Sequence, residues 1–367
     1  MSWKASREGV TLGLSDAARL QAHLPIRLGG FGLLSCAALQ DAAFVGSLNA
    51  SRALRAQLVP PHWAVPGALA AVARVAPLFS DSSDVSSARQ RDIASLVHAG
   101  RLQSFRALLT SDRDRARYAA LCGRHCNGWL TAIPSVFQRQ RMYSRSFRAS
   151  CRYRAGLPMY DVPDTTLARC SGCGVRRLDK WGDHALSCSG TGDRTTRHNL
   201  VCDAGFKFCR AAGLSPVREL PDLLPGNISR PADIYVERWC PSTGSALALD
   251  VTVVSPLAPS MRRRVAAADT SAYAASVAED AKRSKHLQAC RQRGVTFIPL
   301  AFETLGAFGP ASTPPLQRIA ALCAKAVDRP VGTLLSALRR RISIAIQRGN
   351  GAMLVRRAPN VNLFLTL

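Results

Sequence analysis

The chain has 367 residues, 47% of them hydrophobic, and a mean hydropathy of +0.01, which excludes overall disorder and leaves room for two or three domains. Its 49 Lys and Arg against 24 Asp and Glu give a net charge of +25 and a pI near 10.7. That excess points to a polyanionic partner, nucleic acid before anionic membrane, although base composition that inflates Arg and Ala would also raise the charge.

The first twenty residues, MSWKASREGVTLGLSDAARL, lack a basic-then-apolar leader, so the 12 cysteines do not suggest a secreted disulfide scaffold. Helix, loop, helix is predicted over 15–56, with Ser15 as the first N-cap and PIRLGGFGLLS as a Gly-rich turn. A Pro-rich break, VPPHWAVPG, follows at 59–67, and 68–132 is expected to be helical again. Within it, PGALAAVARVAPLF is the most apolar run, too short to span a bilayer and interrupted by Arg74. A soluble intracellular protein is expected.

The stretch SVFQRQRMYSRSFRASCRYRAGL interleaves Arg with Phe and Tyr. It suits a surface that tracks phosphates and stacks on bases, and equally an amphipathic helix with an Arg-rich outer face. After a cysteine-rich stretch, TTRHNLVCDAGFKFCRAAGL reads as a helix ended by Gly213. RPADIYVERW and ALALDVTVVSPL read as strands, AAADTSAYAASVAEDAKRSKHLQACRQRG as a long helix, VTFIPLAFET as a further strand, and LLSALRRRISIAIQRGNGAMLVRRAP as a basic helical tail with a loose end. The expected class is α+β: a helical N-terminal region, a small cysteine-rich knuckle and an α/β core.

Cys170 and Cys173 form C-x-x-C, and His184 and Cys188 are spaced to share one face of a helical turn. Three thiolates and one imidazole complete a closed tetrahedral shell, the pattern of a structural Zn2+ rather than an open catalytic one. Asp183 is placed to orient His184 as an acceptor. Cys122, His125 and Cys126 form a smaller group without a fourth ligand and are read as ordinary thiols.

Asp233 and Asp250 sit at or within predicted strands, where Asp is depleted. Together they could hold a divalent cation through hard oxygen ligands, or each could cap a turn or pair with an arginine. Lys282 and Lys285 stand close together on the long helix of a Lys-poor chain, with Glu279, Lys282 and His286 on one face. A lysine there would orient an attacking water or stabilise a phosphorane, or belong to an ordinary charged stripe. Glu219, Glu279 and Glu303 are accessory candidates.

The ordered set CSGC, GDHALSC, RHN, RPADIYV, LALDVTVVSPL, AEDAKRSKH and FIPLAFETLG resembles the C-terminal half of non-LTR retrotransposon polyproteins that carry a restriction-like endonuclease. The resemblance covers about residues 120–310. It implies a zinc knuckle of Cys170, Cys173, His184 and Cys188, then a nuclease of the PD-(D/E)xK type that nicks target DNA to prime reverse transcription. Asp233 matches the first acid, with one alanine inserted in the motif, and Asp250 the second, both binding Mg2+. Thr252 stands where a lysine would follow, so the resemblance moves that role to Lys282 or Lys285. It also implies Arg197, His198 and Arg230 as nucleic-acid contacts, DNA and element RNA as partners, a nuclear location, and a reverse transcriptase supplied separately. LPIRLGGFGLLS resembles the thumb beyond a polymerase palm, and no Asp-Asp pair occurs in the sequence, so no polymerase activity is expected. The division expected is 1–58 thumb-like, 68–160 helical and Arg-rich, 165–200 knuckle, 201–310 nuclease core, and 311–367 basic tail.

Overall fold

The computed structural model describes residues 14–60, 62–123, 125–137, 140–160, 169–224, 231–240 and 244–357. The chain divides into two compact units, 1–109 and 110–367. The stretch 68–160 is thus shared between them, and 311–367 belongs to the second.

The first unit is helical. Helix α1 (Asp16–His23) starts where Ser15 Oγ accepts the Ala18 N–H, as its sequence predicts. Helices α2 (Cys36–Ala50), α3 (Arg52–Leu58), α4 (Ala68–Val75) and α5 (Gln90–Ala107) follow. Ala42 and Val45 of α2 bury against Ala71 and Val75 of α4 and Ile93 of α5.

The second unit is mixed. Its helices are α6 (Asp112–Leu121), α7 (Ser144–Ala155), α8 (Asp183–Ser187), α9 (Asp193–Ala211), α10 (Arg262–Ala268), α11 (Tyr273–Gln292), α12 (Thr313–Val327) and α13 (Val331–Arg356). Strands β1 (Pro216–Arg218), β2 (Ile234–Cys240), β3 (Ser245–Val254) and β4 (Val295–Glu303) form one sheet in the order β1-β2-β3-β4. The first three are antiparallel neighbours, while β3 and β4 run parallel. A parallel pair needs a long crossover, and α10 with α11 provides it. The short β1, one strand beyond the sequence reading, has only three residues and little apolar content to announce it.

Strand β3 is buried almost throughout, which explains its continuous apolar run. Its odd-numbered residues Leu247, Leu249, Val251 and Val253 pack with α9, α12 and α13, against Val201, Phe208, Leu316 and Ile342. Its even-numbered residues Ala246 and Ala248 face the other way, with Phe297 of β4 and Cys290 of α11. By that period-two alternation Asp250 projects toward α11.

The basic helix, expected to have a loose end, is core as far as residue 357. Along α13, Leu338, Ile342, Ile346, Asn350 and Leu354 are buried, and the helix packs on α7, α8, α9 and α12. Close approach to α7 depends on Gly351, where a Cβ would lie 2.5 Å from the Ser146 carbonyl oxygen. Among the described residues no helix is long and apolar enough to cross a membrane.

Candidate metal centre and acidic site

The knuckle is assembled by local backbone chemistry. Cys170 N–H donates to Arg176 O at 2.8 Å, and Gly174, at φ 64°, returns its N–H to Cys170 O at 2.8 Å. This tight turn sets Cys170 and Cys173 side by side. Asp179 accepts N–H groups of Trp181, Asp183 and His184 at 3.0, 2.9 and 2.7 Å, so its carboxylate starts α8 and aims His184 and Cys188 at the same point.

Cys170 Sγ lies 3.7 Å from Cys188 Sγ, and Cys173 Sγ 3.5 Å from His184 Nε2; all four ligand atoms fall within 4.8 Å of one another. Bonds of about 2.3 Å to sulfur and about 2.0 Å to nitrogen at tetrahedral angles set S···S near roughly 3.8 Å and S···N near roughly 3.5 Å. The four residues therefore fit a metal ion such as zinc. Backbone N–H groups of Gly172 and Gly190 point at Cys170 and Cys188 sulfurs at 3.4 and 3.5 Å, and N–H groups of Arg176 and Val175 lower the Cys173 thiol to about 6. These donors suit thiolates.

Asp183 does not orient His184. It is buried in a two-pronged pair with Arg113, at 2.7 and 2.9 Å, that ties α8 to α6. The knuckle also docks on α13. Arg357 fills the space above Gly172, where any Cβ would overlap its guanidinium, and pairs with Asp193 at 3.1 Å.

The second site gathers around the end of the β2–β3 ladder. Register pairing stops at Ile234 with Leu249, so the Val251 N–H lies beyond its reach. Asp233 Oδ2 accepts that N–H at 2.6 Å, acting as a side-chain continuation of the missing strand. Its Oδ1 is 3.1 Å from His198 Nε2 of α9. Asp250, on the next residue of β3, receives Lys282 Nζ on Oδ1 at 2.9 Å, while Oδ2 is buried without a hydrogen-bond partner. Burial pushes the Asp250 carboxyl up to about 6 despite Lys282, and the Asp233 charge adds to the rise. A cavity of about 430 Å³ opens beside them, lined by His198, Asn199, Glu219 and Thr252 among others.

Of the two candidate lysines, Lys282 is on the acidic pair and Lys285 is exposed. Lys282 and His286 do share a face of α11 with Glu279, but that face lies on the sheet rather than in solvent, with His286 against Phe297 at 5.7 Å. Two accessory candidates are displaced by packing. Glu279 is buried and accepts the Ala311 N–H at 3.1 Å, holding the turn at Pro310–Ser312. Glu303 is buried and accepts N–H groups of Ala274 and Ala275 at 2.9 and 3.2 Å, capping the start of α11. Glu219 remains exposed at the cavity wall.

Arg197 is a correction as well. It is 1% exposed, with Nη1 on Leu186 O at 3.2 Å and Asn350 Oδ1 at 3.0 Å, so it braces α8, α9 and α13 and meets no outside ligand. Arg230 lies outside the described residues. Cys126 is buried, its thiol on Ala120 O at 3.1 Å, and His125 stacks edge-on with Phe308.

The Arg-rich stretch is divided between core and surface. Arg154 and Tyr153 of α7 are buried, while the start of α7 and the last turns of α13 flank a groove of about 1000 Å³ rimmed by Arg141, Tyr143, Arg145, Arg348 and Arg356. Tyr143 is 86% exposed. Cys202, one turn after His198 and 3.3 Å from its Nε2, was missed from sequence; the i, i+4 spacing of His198 and Cys202 was the available signal. No protein-family model matches this chain, and none of the curated proteins searched does.

Proposed function

We propose that the chain is a metal-dependent DNA endonuclease of restriction-like type, with a zinc knuckle that positions the nucleic acid. One observation carries the reading: beyond the end of the β2 pairing on β3, Asp233 from the strand entrance holds the Val251 N–H next to Asp250, and Lys282 from the crossover helix reaches the Asp250 carboxylate. In this reading the two carboxylates would hold a hard cation such as Mg2+, and the buried, unpartnered Oδ2 and raised pKa of Asp250 support it. When bound, such an ion would polarise a phosphoryl oxygen and acidify a water. Asp250 must shed its proton to take part, so cleavage is expected to rise as pH passes through about 6. Lys282 supplies a compact positive charge at the same carboxylate, suited to a developing phosphorane.

The resemblance to non-LTR retrotransposon nucleases extends this proposal to nicking for target-primed reverse transcription in the nucleus, with element RNA and a separate reverse transcriptase as partners. The test is nicking of supercoiled plasmid in Mg2+. Asp250→Ala is expected to abolish it and Lys282→Ala to lower it about 100-fold, a loss of roughly 2.7 kcal/mol of barrier lowering, while Lys285→Ala stays near the parent rate. Undiminished cleavage by Asp250→Ala would sink the assignment. A second reading, nucleic-acid binding without catalysis, draws on the ion pairs already present: three of the four carboxylate oxygens have protein partners without any cation. It predicts tight, salt-sensitive binding and no Mg2+-dependent nick.

A further inference from the structure

Beside the acidic pair, a third set of ligand atoms converges. His198 Nε2, Cys202 Sγ and an Asp233 carboxylate oxygen all lie within 4.8 Å of one another, with Nε2 at 3.1 Å from Asp233 Oδ1 and 3.3 Å from Cys202 Sγ. One hydrogen at most sits on Nε2, and it has to serve two partners. We propose that His198, Cys202 and Asp233 bind a transition-metal ion of the Zn2+ class, separate from the ion of the knuckle.

The distances suit this assignment. Bonds of about 2.0 Å to nitrogen and oxygen and about 2.3 Å to sulfur place tetrahedral N···O at roughly 3.3 Å and N···S at roughly 3.5 Å. Both contacts are within a few tenths of those edges, a difference small side-chain rotations supply. His198 and Cys202 are one turn apart on α9, the spacing at which two side chains of a helix meet a single ion. Asp233 is fixed from across the fold by Val251 N–H, so the third ligand is held without the metal.

The ligand types decide the ion. A thiolate and an imidazole beside one carboxylate favour Zn2+ or Co2+ over Mg2+, which takes oxygen ligands and keeps its water. Cys202 is fully buried, whereas His198 borders the open cavity, which leaves a fourth position for water or a ligand. The consequence for chemistry rests on the nuclease reading above. Asp233 would serve both centres, so an ion held by Cys202 and His198 would withdraw it from the Mg2+ pair.

The test titrates Co2+ into metal-free full-length protein, following thiolate-to-metal absorption and counting bound ions after dialysis. The first equivalent is expected to fill the three-thiolate knuckle, and a second to add a weaker band from the single thiolate of Cys202. Cys202→Ser and His198→Ala are each expected to lose the second ion and keep the first, which also reports that the unit is folded. A native protein that stops at one ion, or a Cys202→Ser variant that still holds two, overturns the proposal. DNA is absent from the measurement, so a protein that never nicks passes or fails it independently.

Discussion

Buried carboxylates in this molecule do different work according to what meets their oxygens. Glu303 illustrates the structural kind: Oε1 takes two N–H groups at the start of α11, and burial pushes its carboxyl up to about 7, against those two donors. The folded state therefore binds a proton that the unfolded chain, at the ordinary carboxyl value of 4.5, releases earlier. Stability is lost as pH rises from about 4.5 through about 7, because ionisation is cheaper in the unfolded chain. Glu303→Gln keeps an acceptor oxygen for Ala274 and Ala275 and removes the ionisation. We expect its melting temperature to exceed the parent's at pH 8 and the difference to shrink toward pH 5. Equal differences at the two pH values would show that the carboxyl is not held protonated. Asp250 is also raised, to about 6, but its oxygen meets the Lys282 ammonium rather than backbone N–H groups.

Helix α13 sets the largest gap between a local reading and the folded element. Its RRRISIAIQRGNGAMLVRR pattern is basic and interrupted by glycines, so nothing within the segment announces burial on several sides. The reason lies in its neighbours: small residues let α7 and α9 approach, and Arg197 from α9 seats against Gly349. Two substitutions of one type in this helix should act in opposite directions. At Gly332, where a Cβ would meet nothing, Gly→Ala is expected to stabilise by roughly 0.5–1 kcal/mol through helix propensity. At Gly351 the same change drives a methyl group into the α7 backbone and is expected to cost about 1–3 kcal/mol. Thermal unfolding of both variants checks the pair, and similar shifts would argue against the tight α7–α13 contact.

The same distinction explains what was legible in advance. The knuckle ligands and the Ser15 cap depend on spacing over a few residues, and the sequence places them correctly. Strands β2 to β4 declare themselves by β-branched runs, and the pair Lys282 and Lys285 by its rarity on a basic but Lys-poor chain, though not which of the two meets Asp250. Glu279, Glu303 and Arg197 could not be assigned that way, because their partners are 11 to 153 residues distant and their types are equally at home at a catalytic centre. Asp183, expected to orient His184, escapes a local reading for a related reason, because its partner Arg113 is 70 residues distant, and nothing in the spacing singled out Asp179 as the cap of the turn.

At the scale of the whole molecule, a net charge of +25 favours nonspecific attraction to any polyanion, so binding of nucleic acid alone would say little about a specific surface. Salt dependence and stacking separate the two. In the α7–α13 groove, Arg145 offers charge and Tyr143 offers a ring that is 86% exposed, with Arg348 Nε braced on Arg141 O at 3.0 Å between them and the second wall. If a single strand runs along this groove, Arg145→Ala removes about one phosphate contact. The slope of log K against log salt should then shrink by about 0.7. Tyr143→Ala removes a stacking platform without removing charge, so it should weaken binding by about 1–3 kcal/mol at every salt concentration and leave the slope unchanged. Fluorescence anisotropy with a labelled single-stranded oligonucleotide over a salt series reads both quantities. A groove that only lends general charge would give Arg145→Ala its slope change and leave Tyr143→Ala indistinguishable from the parent, and the strand would have to be sought on another face.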